Sequence, residues 1–121
     1  MSKTILAVDD SSSIRQLLSS TLTGCGYTVV EAVDGQDGLE KLAVGTADLI
    51  ITDLHMPNMD GIGLIQGVRR NAACRFVPII MLTTEHQETM RQAGAAAGAT
   101  AWLTKPFKPE ELLMVIRKVM R

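Results

Sequence analysis

Several residues that could carry out metal or phosphate chemistry stand at the ends of short apolar runs in this sequence. They are Asp9 and Asp10 after residues 4–8, Asp53 after residues 49–52, and Lys105 after residues 101–104. If these runs are parallel strands, the four charges meet at one edge of one sheet. Carboxylates gathered that closely repel one another, so the cluster requires a cation. Because the donors are oxygens alone, Mg²⁺ or a similar hard cation is expected.

The central carboxylate suggests a reaction as well as a metal site. Asp53 could act as a nucleophile, because carboxylates form aspartyl-phosphate intermediates. Lys105 is a point charge suited to a phosphoryl oxygen, and Thr83, at the end of the fourth apolar run, offers a hydroxyl donor. Each of these features alone is typical of turns and helix caps. Their joint occurrence at four strand ends favours a functional site.

The elements that must position these residues alternate along the chain. Strands are predicted at residues 4–8, 28–32, 48–52, 78–82 and 101–104, which are rich in β-branched residues or continuously apolar. Apolar residues at helical spacing lie between them, namely Ile14, Leu17, Leu18, Leu22 and Cys25, then Leu64, Ile65 and Val68, then Leu112, Val115, Ile116 and Val119. Alternation of this kind predicts an α/β fold with a parallel sheet and helices on both faces.

Bulk properties narrow the class of protein. The chain has 121 residues, enough for one domain spanning 1–121, and its net charge of -1 gives no reason to expect nucleic acid or a membrane surface as a partner. No apolar run approaches the roughly 20 residues that span a bilayer. The start of the sequence lacks a signal-peptide pattern, and Cys25 and Cys74 have no metal-type spacing. We therefore expect a cytoplasmic protein with reduced cysteines.

The motifs together resemble the receiver domain of two-component response regulators over essentially the whole length. The matching segments are Ala7–Ser11, Asp53–Gly61, Pro78–Thr83 and Lys105–Phe107. With no output domain in the sequence, the chain is most similar to the stand-alone, CheY-like chemotaxis type. The resemblance implies a flavodoxin-like doubly wound sheet of five parallel strands in the order 2-1-3-4-5, with five helices.

The resemblance also implies a role for each site residue. Asp53 accepts a phosphoryl group from a histidine kinase, and Lys105 contacts that group, with a cis bond before Pro106. Mg²⁺ is bound by Asp10, Asp53 and the backbone carbonyl of His55, and Asp9 supports it largely through water. Thr83 moves toward the phosphoryl group on activation.

The same resemblance points to residues that report or tune the signal. Trp102 occupies the aromatic position that repacks on activation, although it is equally typical of a half-buried space-filling residue. His55 and Glu85 stand where family members tune the lifetime of the phosphoryl group, and both are also typical of solvated loops. The run of Ala and Gly at residues 93–99 predicts a loosely held fourth helix. Leu113, Met114 and Met120 are candidates either for a wide core face or for a docking patch.

The expected partners are proteins. The resemblance implies a CheA-like histidine kinase upstream and a target such as a flagellar motor switch, which binds the surface formed by the fourth helix, fifth strand and fifth helix. The chain itself is expected to be a monomer and not an enzyme, apart from catalysing its own phosphorylation and dephosphorylation. A phosphorelay intermediate that passes the group to a histidine phosphotransfer protein shares every site residue.

Two alternatives come from other classes of protein. A phosphatase would use Asp53 as nucleophile, but it needs a second acid for the leaving group, and residue 55 is a histidine. A flavin carrier would use the serine-rich loop Ser11–Ser13 to bind a phosphate at a helix N-terminus. The neighbouring Asp9 and Asp10 would repel that phosphate unless a metal intervened.

Overall fold

A computed structural model describes residues 3–84 and 88–120 of the chain. Strands and helices alternate in the order β1 (Thr4–Val8), α1 (Ser12–Gly24), β2 (Thr28–Ala32), α2 (Gly35–Val44), β3 (Leu49–Asp53), α3 (Gly61–Arg70), β4 (Ile79–Thr83), α4 (Glu88–Ala97), β5 (Ala101–Thr104) and α5 (Pro109–Val119). The five strands are parallel and lie in the order β2-β1-β3-β4-β5. The expected flavodoxin-like fold and strand order are therefore confirmed. No helix within the described ranges is long and apolar enough to cross a membrane.

Two strands begin one residue later than the sequence suggested. β3 starts at Leu49 and β4 at Ile79, so Asp53 and Thr83 are the last residues of their strands. Pro78 has no N–H to donate, and only its carbonyl takes part in the sheet, by accepting from Ile50 N at 3.0 Å. Asp48 contacts Thr4 with both of its groups, because its N–H donates to Thr4 O at 2.8 Å and its carboxylate accepts from Thr4 N at 2.8 Å.

Side chains alternate between two apolar layers along the central strands. On β1, Ile5 and Ala7 join the layer covered by α1 and α5, whereas Leu6 and Val8 join the layer covered by α2, α3 and α4. Each fully buried Leu or Ile in these layers contributes about 1.5–3 kcal/mol of stability. Because both faces are covered, the strand ends are the places where polar groups can gather.

The burial predicted for the apolar residues at helical spacing is confirmed in part. Leu64, Ile65 and Val68 are fully buried, as are Leu18, Leu22, Leu112 and Ile116, while Ile14, Val115 and Val119 are partly buried against the core. Leu17 and Cys25 were wrongly placed on the buried stripe, since both are exposed. Cys25 is exposed because α1 ends at Gly24 and the chain turns away at Gly26, which has a φ of 92°.

The C-terminal end of α4 is fastened to the sheet by one arginine. Arg69, at the end of α3, donates to Gly98 O at 2.6 Å and to Val77 O at 2.6 Å. Gly98 turns the chain after α4 with a φ of 116°. Among the α4 side chains that the structure describes, Met90 and Ala97 pack against the core layer. The loosely held fourth helix remains a prediction.

Candidate functional site

The register of the strands brings the candidate residues to one edge of the sheet. Val8 pairs with Thr52, so Asp9 and Asp53 follow at the same level on adjacent strands. Across the next two pairings, Asp53 lies beside Leu82 and Thr83 lies beside Thr104. Asp9, Asp53, Thr83 and Lys105 therefore all lie at the carboxyl ends of β1, β3, β4 and β5.

Three carboxylates converge at this edge. One oxygen from each of Asp9, Asp10 and Asp53 lies within 4.8 Å of the others. Asp9 is fully buried and Asp53 is 8% exposed, whereas Asp10 is open to solvent. The cluster is thus closed on the side of the sheet and accessible on the side of Asp10.

Asp9 is held in place by bonds to the end of β2 and to the start of α1. Its N–H donates to Ala32 O at 3.1 Å, and its carboxylate accepts from Ser11 N at 2.9 Å. Its own carbonyl accepts from the Arg15 guanidinium at 2.6 Å. Ser11 also caps α1 by accepting from Ile14 N. The protein's own hydrogen bonds therefore fix the position of the Asp9 carboxylate.

Lys105 bridges the two buried carboxylates. Its Nζ lies 3.0 Å from Asp9 Oδ2 and 3.2 Å from Asp53 Oδ1. Burial alone would lower the pKa of Lys105, but the hydrogen bond and charge of Asp9, with the charge of Asp53, outweigh burial and raise that pKa. The Lys105–Pro106 peptide bond is cis, as expected from the resemblance. The lysine stays charged and faces the cluster.

The surroundings of Asp53 disfavour its charged form. Burial and the charge of Asp9 raise its pKa, and Lys105 and the Leu54 N–H only partly oppose them. Leu54 N donates to Asp53 Oδ1 at 2.9 Å, the same oxygen that Lys105 contacts. Among the described residues, Asp53 Oδ2 receives neither a hydrogen bond nor an ion pair. That oxygen is the one best placed to meet an incoming group.

The cluster fits a divalent hard cation. All three side chains offer oxygen, the donor that Mg²⁺ prefers. Three carboxylates against one ammonium leave two uncompensated negative charges, which a divalent cation would neutralise. Bound there, it would also favour the ionised form of Asp53 and so lower its pKa.

Thr83 and Trp102 lie between this cluster and the edge of the sheet. Thr83 is buried, and its carbonyl accepts from Lys105 N at 2.7 Å. Trp102 lies three residues before Lys105 on β5 and pairs with Met81. Its indole is half-buried beside Gly94 and lies 5.8 Å below the Arg91 guanidinium. The backbone of β5, which pairs with β4 from Ala101 to Thr104, therefore connects Lys105 to the α4–β5 edge.

The two residues expected to tune phosphoryl lifetime differ in what can be said of them. His55 is exposed in the loop after β3, two residues beyond Asp53. Glu85 lies outside the described residues. The tuning role of both remains a prediction.

The candidate docking residues of α5 separate into two groups. Leu113 and Met120 pack against the core, so the wide core face is the better description of both. Met114 is 55% exposed and points away from that layer. Only Met114 therefore remains a candidate for partner contact.

Structure adds Gly61 to the site. A Cβ on Gly61 would collide with Asp53 O and would lie 2.9 Å from Met81 Sδ and 3.1 Å from Leu54 Cα. This close approach lets Gly61 N donate to Leu54 O at 2.9 Å and closes the loop after Asp53. The Asp60-Gly61 pair indicates a turn in the sequence, but not which backbone the glycine approaches.

A family model described as the response regulator receiver domain matches residues 5–117. The chain belongs to the response regulator receiver domain family. It is therefore the receiver domain of a two-component response regulator, with the carboxylate cluster at the edge where such sheets bind ligands.

Solved receivers and related proteins have the same architecture. The chemotaxis protein CheY4 of Vibrio cholerae is 46% identical, with a TM-score of 0.95, over 98% of this chain and 99% of that one. The receiver domain of the sensor histidine kinase PA1611 from Pseudomonas aeruginosa, solved with magnesium in its active site cleft, is 28% identical with a TM-score of 0.91, over 99% and 98% of the two chains.

Curated relatives differ from these structures in length. The alkaline phosphatase synthesis transcriptional regulatory protein PhoP of Bacillus subtilis is 37% identical over 100% of this chain and 50% of its own length. The chain spans about half the length of the curated relatives it matches. The stand-alone chemotaxis type thus remains a prediction within the receiver family.

Proposed function

We propose that this receiver accepts a phosphoryl group on Asp53 from a histidine kinase and changes its protein partner in response. The observation that carries the proposal is the convergence of three carboxylates within 4.8 Å, two of them bridged by Lys105 Nζ. A carboxylate nucleophile, a metal platform and a fixed positive charge are the parts that phosphoryl transfer requires.

The transfer is a displacement at phosphorus. An Asp53 oxygen forms the new O–P bond while the N–P bond to the kinase histidine breaks, and the electron pair leaves with the imidazole nitrogen. Lys105 offsets charge on the phosphoryl oxygens, and Thr83 donates its hydroxyl to one of them. Bound through Asp10, Asp53 and the His55 carbonyl, with Asp9 in support, Mg²⁺ would supply further charge stabilisation.

We assign the output to the surface formed by α4, β5 and α5. A groove of about 520 Å³ lies there, lined by residues that include Arg91, Gln92, Thr100 and Trp102. Lys105 directly follows β5, and its N–H donates to Thr83 O beside the site. A new bond from Lys105 to the phosphoryl group therefore shifts β5, the strand that contains Trp102. A few kcal/mol at most separates the two arrangements.

Chemotaxis is the pathway that we favour, with a CheA-like kinase upstream and a flagellar motor switch as target. The support is the 46% identity to a chemotaxis protein across nearly the whole of both chains. The half-length matches to transcriptional regulators favour a second candidate, the regulatory part of a longer DNA-binding protein. A phosphorelay role, with transfer to a histidine phosphotransfer protein, uses the same site.

The chemistry is tested by treating the chain with a small acyl phosphate and Mg²⁺ and recording the intact mass. We expect one phosphoryl group on the wild type, removed by hydroxylamine because the linkage is an acyl phosphate. Asp53→Asn should stay unlabelled, while Asp60→Asn, which keeps the α3 cap, should label normally. Full labelling of Asp53→Asn would rule out the assignment.

The partner is tested with beryllofluoride, which mimics the phosphoryl group. We expect tighter binding to a motor-switch peptide in its presence, with no gain in binding to DNA or to a phosphotransfer protein. We further propose that the chain is a cytoplasmic monomer that turns over no separate substrate. Steady hydrolysis of an aryl phosphate would contradict that last point.

A further inference from the structure

The loop between β3 and α3, residues 54–60, carries His55, whose carbonyl is a ligand in the proposed Mg²⁺ site. The sheet holds the inner end of this loop, where Leu54 N donates to Leu82 O at 3.0 Å. Residues 55–60 belong to no helix or strand. The path of the chain past His55 therefore depends on contacts made farther along the loop.

Those contacts are made with the start of α2. Asn58 Nδ2 donates to Asp34 Oδ2 at 2.8 Å, and Gly35 N donates to Met59 O at 3.1 Å. A Cβ on Gly35 would lie 2.8 Å from Met59 O, so the two segments approach as closely as a glycine allows. The loop is thus fastened to an element that supplies no metal ligand.

Asp34 divides its two oxygens between two elements. Oδ1 accepts from Asp37 N at 2.8 Å and caps α2, while Oδ2 accepts from Asn58. Asp34 is 7% exposed, and the Asp37 N–H, followed by the Asn58 amide, lowers its pKa. The Asp34–Asn58 bond is therefore charge-assisted, the stronger class of hydrogen bond.

Asn58 combines two properties that no other residue type joins as well. Its φ is 69°, in the left-handed region, where Asn and Gly are the residues best tolerated. Its amide reaches across to Asp34. The segment that it reaches is also tied to the cluster, because Ala32 O accepts from Asp9 N at 3.1 Å.

We propose that Asn58 and Asp34 are positioning residues for the divalent cation: their bond orders the β3–α3 loop, so that the His55 carbonyl is in place before the cation binds. The inference rests on the Mg²⁺ site of the proposed function. Neither side chain is a ligand. They act by removing the ordering cost that a mobile loop would add to binding.

The test compares Mg²⁺ dissociation constants measured by NMR titration. Asn58→Gly keeps the backbone conformation and deletes the amide, and we expect the constant to rise by roughly tenfold. Asp34→Ser keeps a cap oxygen for α2 but loses Oδ2. Because both substitutions delete the same bond, the double variant should bind Mg²⁺ no more weakly than the weaker-binding single variant. Asp60→Ser is the matched control, because it also removes one negative charge and keeps a cap oxygen, but Asp60 has no bond to Asn58. It should change the dissociation constant less than twofold.

Asn58→Asp separates positioning from simple electrostatics. It adds a negative charge near a cation site, which by Coulomb attraction alone tightens Mg²⁺ binding. Positioning predicts the reverse, because two carboxylates at residues 34 and 58 repel and release the loop. Tighter binding by this variant would overturn the proposal, and so would an unchanged constant for Asn58→Gly.

Two further readouts exclude a purely structural role. At saturating Mg²⁺, an acyl phosphate should label Asn58→Gly at the wild-type rate, because every group that binds Mg²⁺ is still present in this variant. Thermal unfolding without Mg²⁺ measures general damage, and a fall in melting temperature with an unchanged dissociation constant counts against the proposal. If the wild type binds no Mg²⁺, the proposed function fails instead, which is a distinguishable result.

Discussion

The centre and the edge of the sheet are built differently, although both contribute to the same site. Every residue of β3 is buried, as are four of the five in β1; Asp53 is the last residue of β3, and Asp9 directly follows β1. All four residues of β5, by contrast, are only partly buried. Its neighbour α4 consists largely of Ala and Gly beyond Met90.

This difference suits a protein that receives a signal at one place and displays it at another. The carboxylates at the centre are fixed by bonds to several segments, so added charge there cannot be absorbed by local movement. The edge has few large side chains to hold one arrangement, and regions with few buried contacts rearrange at low cost. A change at the centre is therefore expressed at the edge.

The largest effect is expected from removing the charge that balances the centre. Lys105→Gln leaves Asp9 and Asp53 facing each other without their shared cation, which should lower the free energy of unfolding by about 3 kcal/mol. Urea denaturation measures this, and Mg²⁺ should restore more stability to the variant than it adds to the wild type. Lys41→Gln removes an exposed pair with Asp37 and should cost less than about 1 kcal/mol. Equal losses in the two variants would contradict this account.

A smaller loss is expected from crowding the loop that follows Asp53. Gly61→Ala places a methyl group against Asp53 O and Leu54 Cα, backbone atoms that cannot move away easily. We expect a loss of about 1–3 kcal/mol in thermal or urea unfolding. Gly24→Ala, where no atom lies within 4 Å of the new Cβ, should instead gain about 0.5 kcal/mol. Similar costs at both positions would show that the central loop is less constrained than the contacts indicate.

At the edge, the matching substitution should move a side chain instead of straining the backbone. A Cβ on Gly94 would lie 2.6 Å from Trp102 Cζ3, the far end of the indole. The indole Nε1 is buried without a hydrogen-bond partner among the described residues, which is a further cost of its present position. Gly94→Ala should therefore shift Trp102 outward, red-shift its emission and cost about 1 kcal/mol.

Trp102 is the only tryptophan, so its emission reports this position directly. Beryllofluoride with Mg²⁺ should change the emission of the wild type, and the change should be smaller in Gly94→Ala. If the emission spectrum does not change although binding of the analogue is established separately, Trp102 does not repack on activation.

The smallest effect is the pH dependence of stability that Asp53 brings. Its folded pKa is raised above 3.8, so the folded state holds this proton more tightly than the unfolded chain does. Its contribution to the free energy of unfolding therefore falls as pH rises from 3.8 through the raised value. Relative to the wild type, Asp53→Asn should gain stability as the pH rises above 3.8 in urea denaturation without Mg²⁺. A relative loss over this range would contradict the raised pKa.

Much of the fold was determined by the sequence itself. The alternation of β-branched runs with helical stripes predicted a parallel sheet covered on both faces, because buried strands and amphipathic helices have distinct periods. The exposed positions of Leu17 and Cys25 were missed, since a 3.6-residue stripe does not show how wide the contact with the sheet will be. The resemblance to receivers, carried by short motifs at strand ends, supplied the order of the strands.

The sequence also determined which groups gather, because parallel strands place their carboxyl ends together. It named Asp9, Asp10, Asp53, Thr83 and Lys105 without distances. Only the tertiary structure decided that Lys105 bridges two of the carboxylates, that Asp34 reaches Asn58, and that Gly61 and Gly94 make room for a backbone and an indole. Such contacts join residues up to 96 positions apart, and their geometry follows from packing in three dimensions, which no local pattern records.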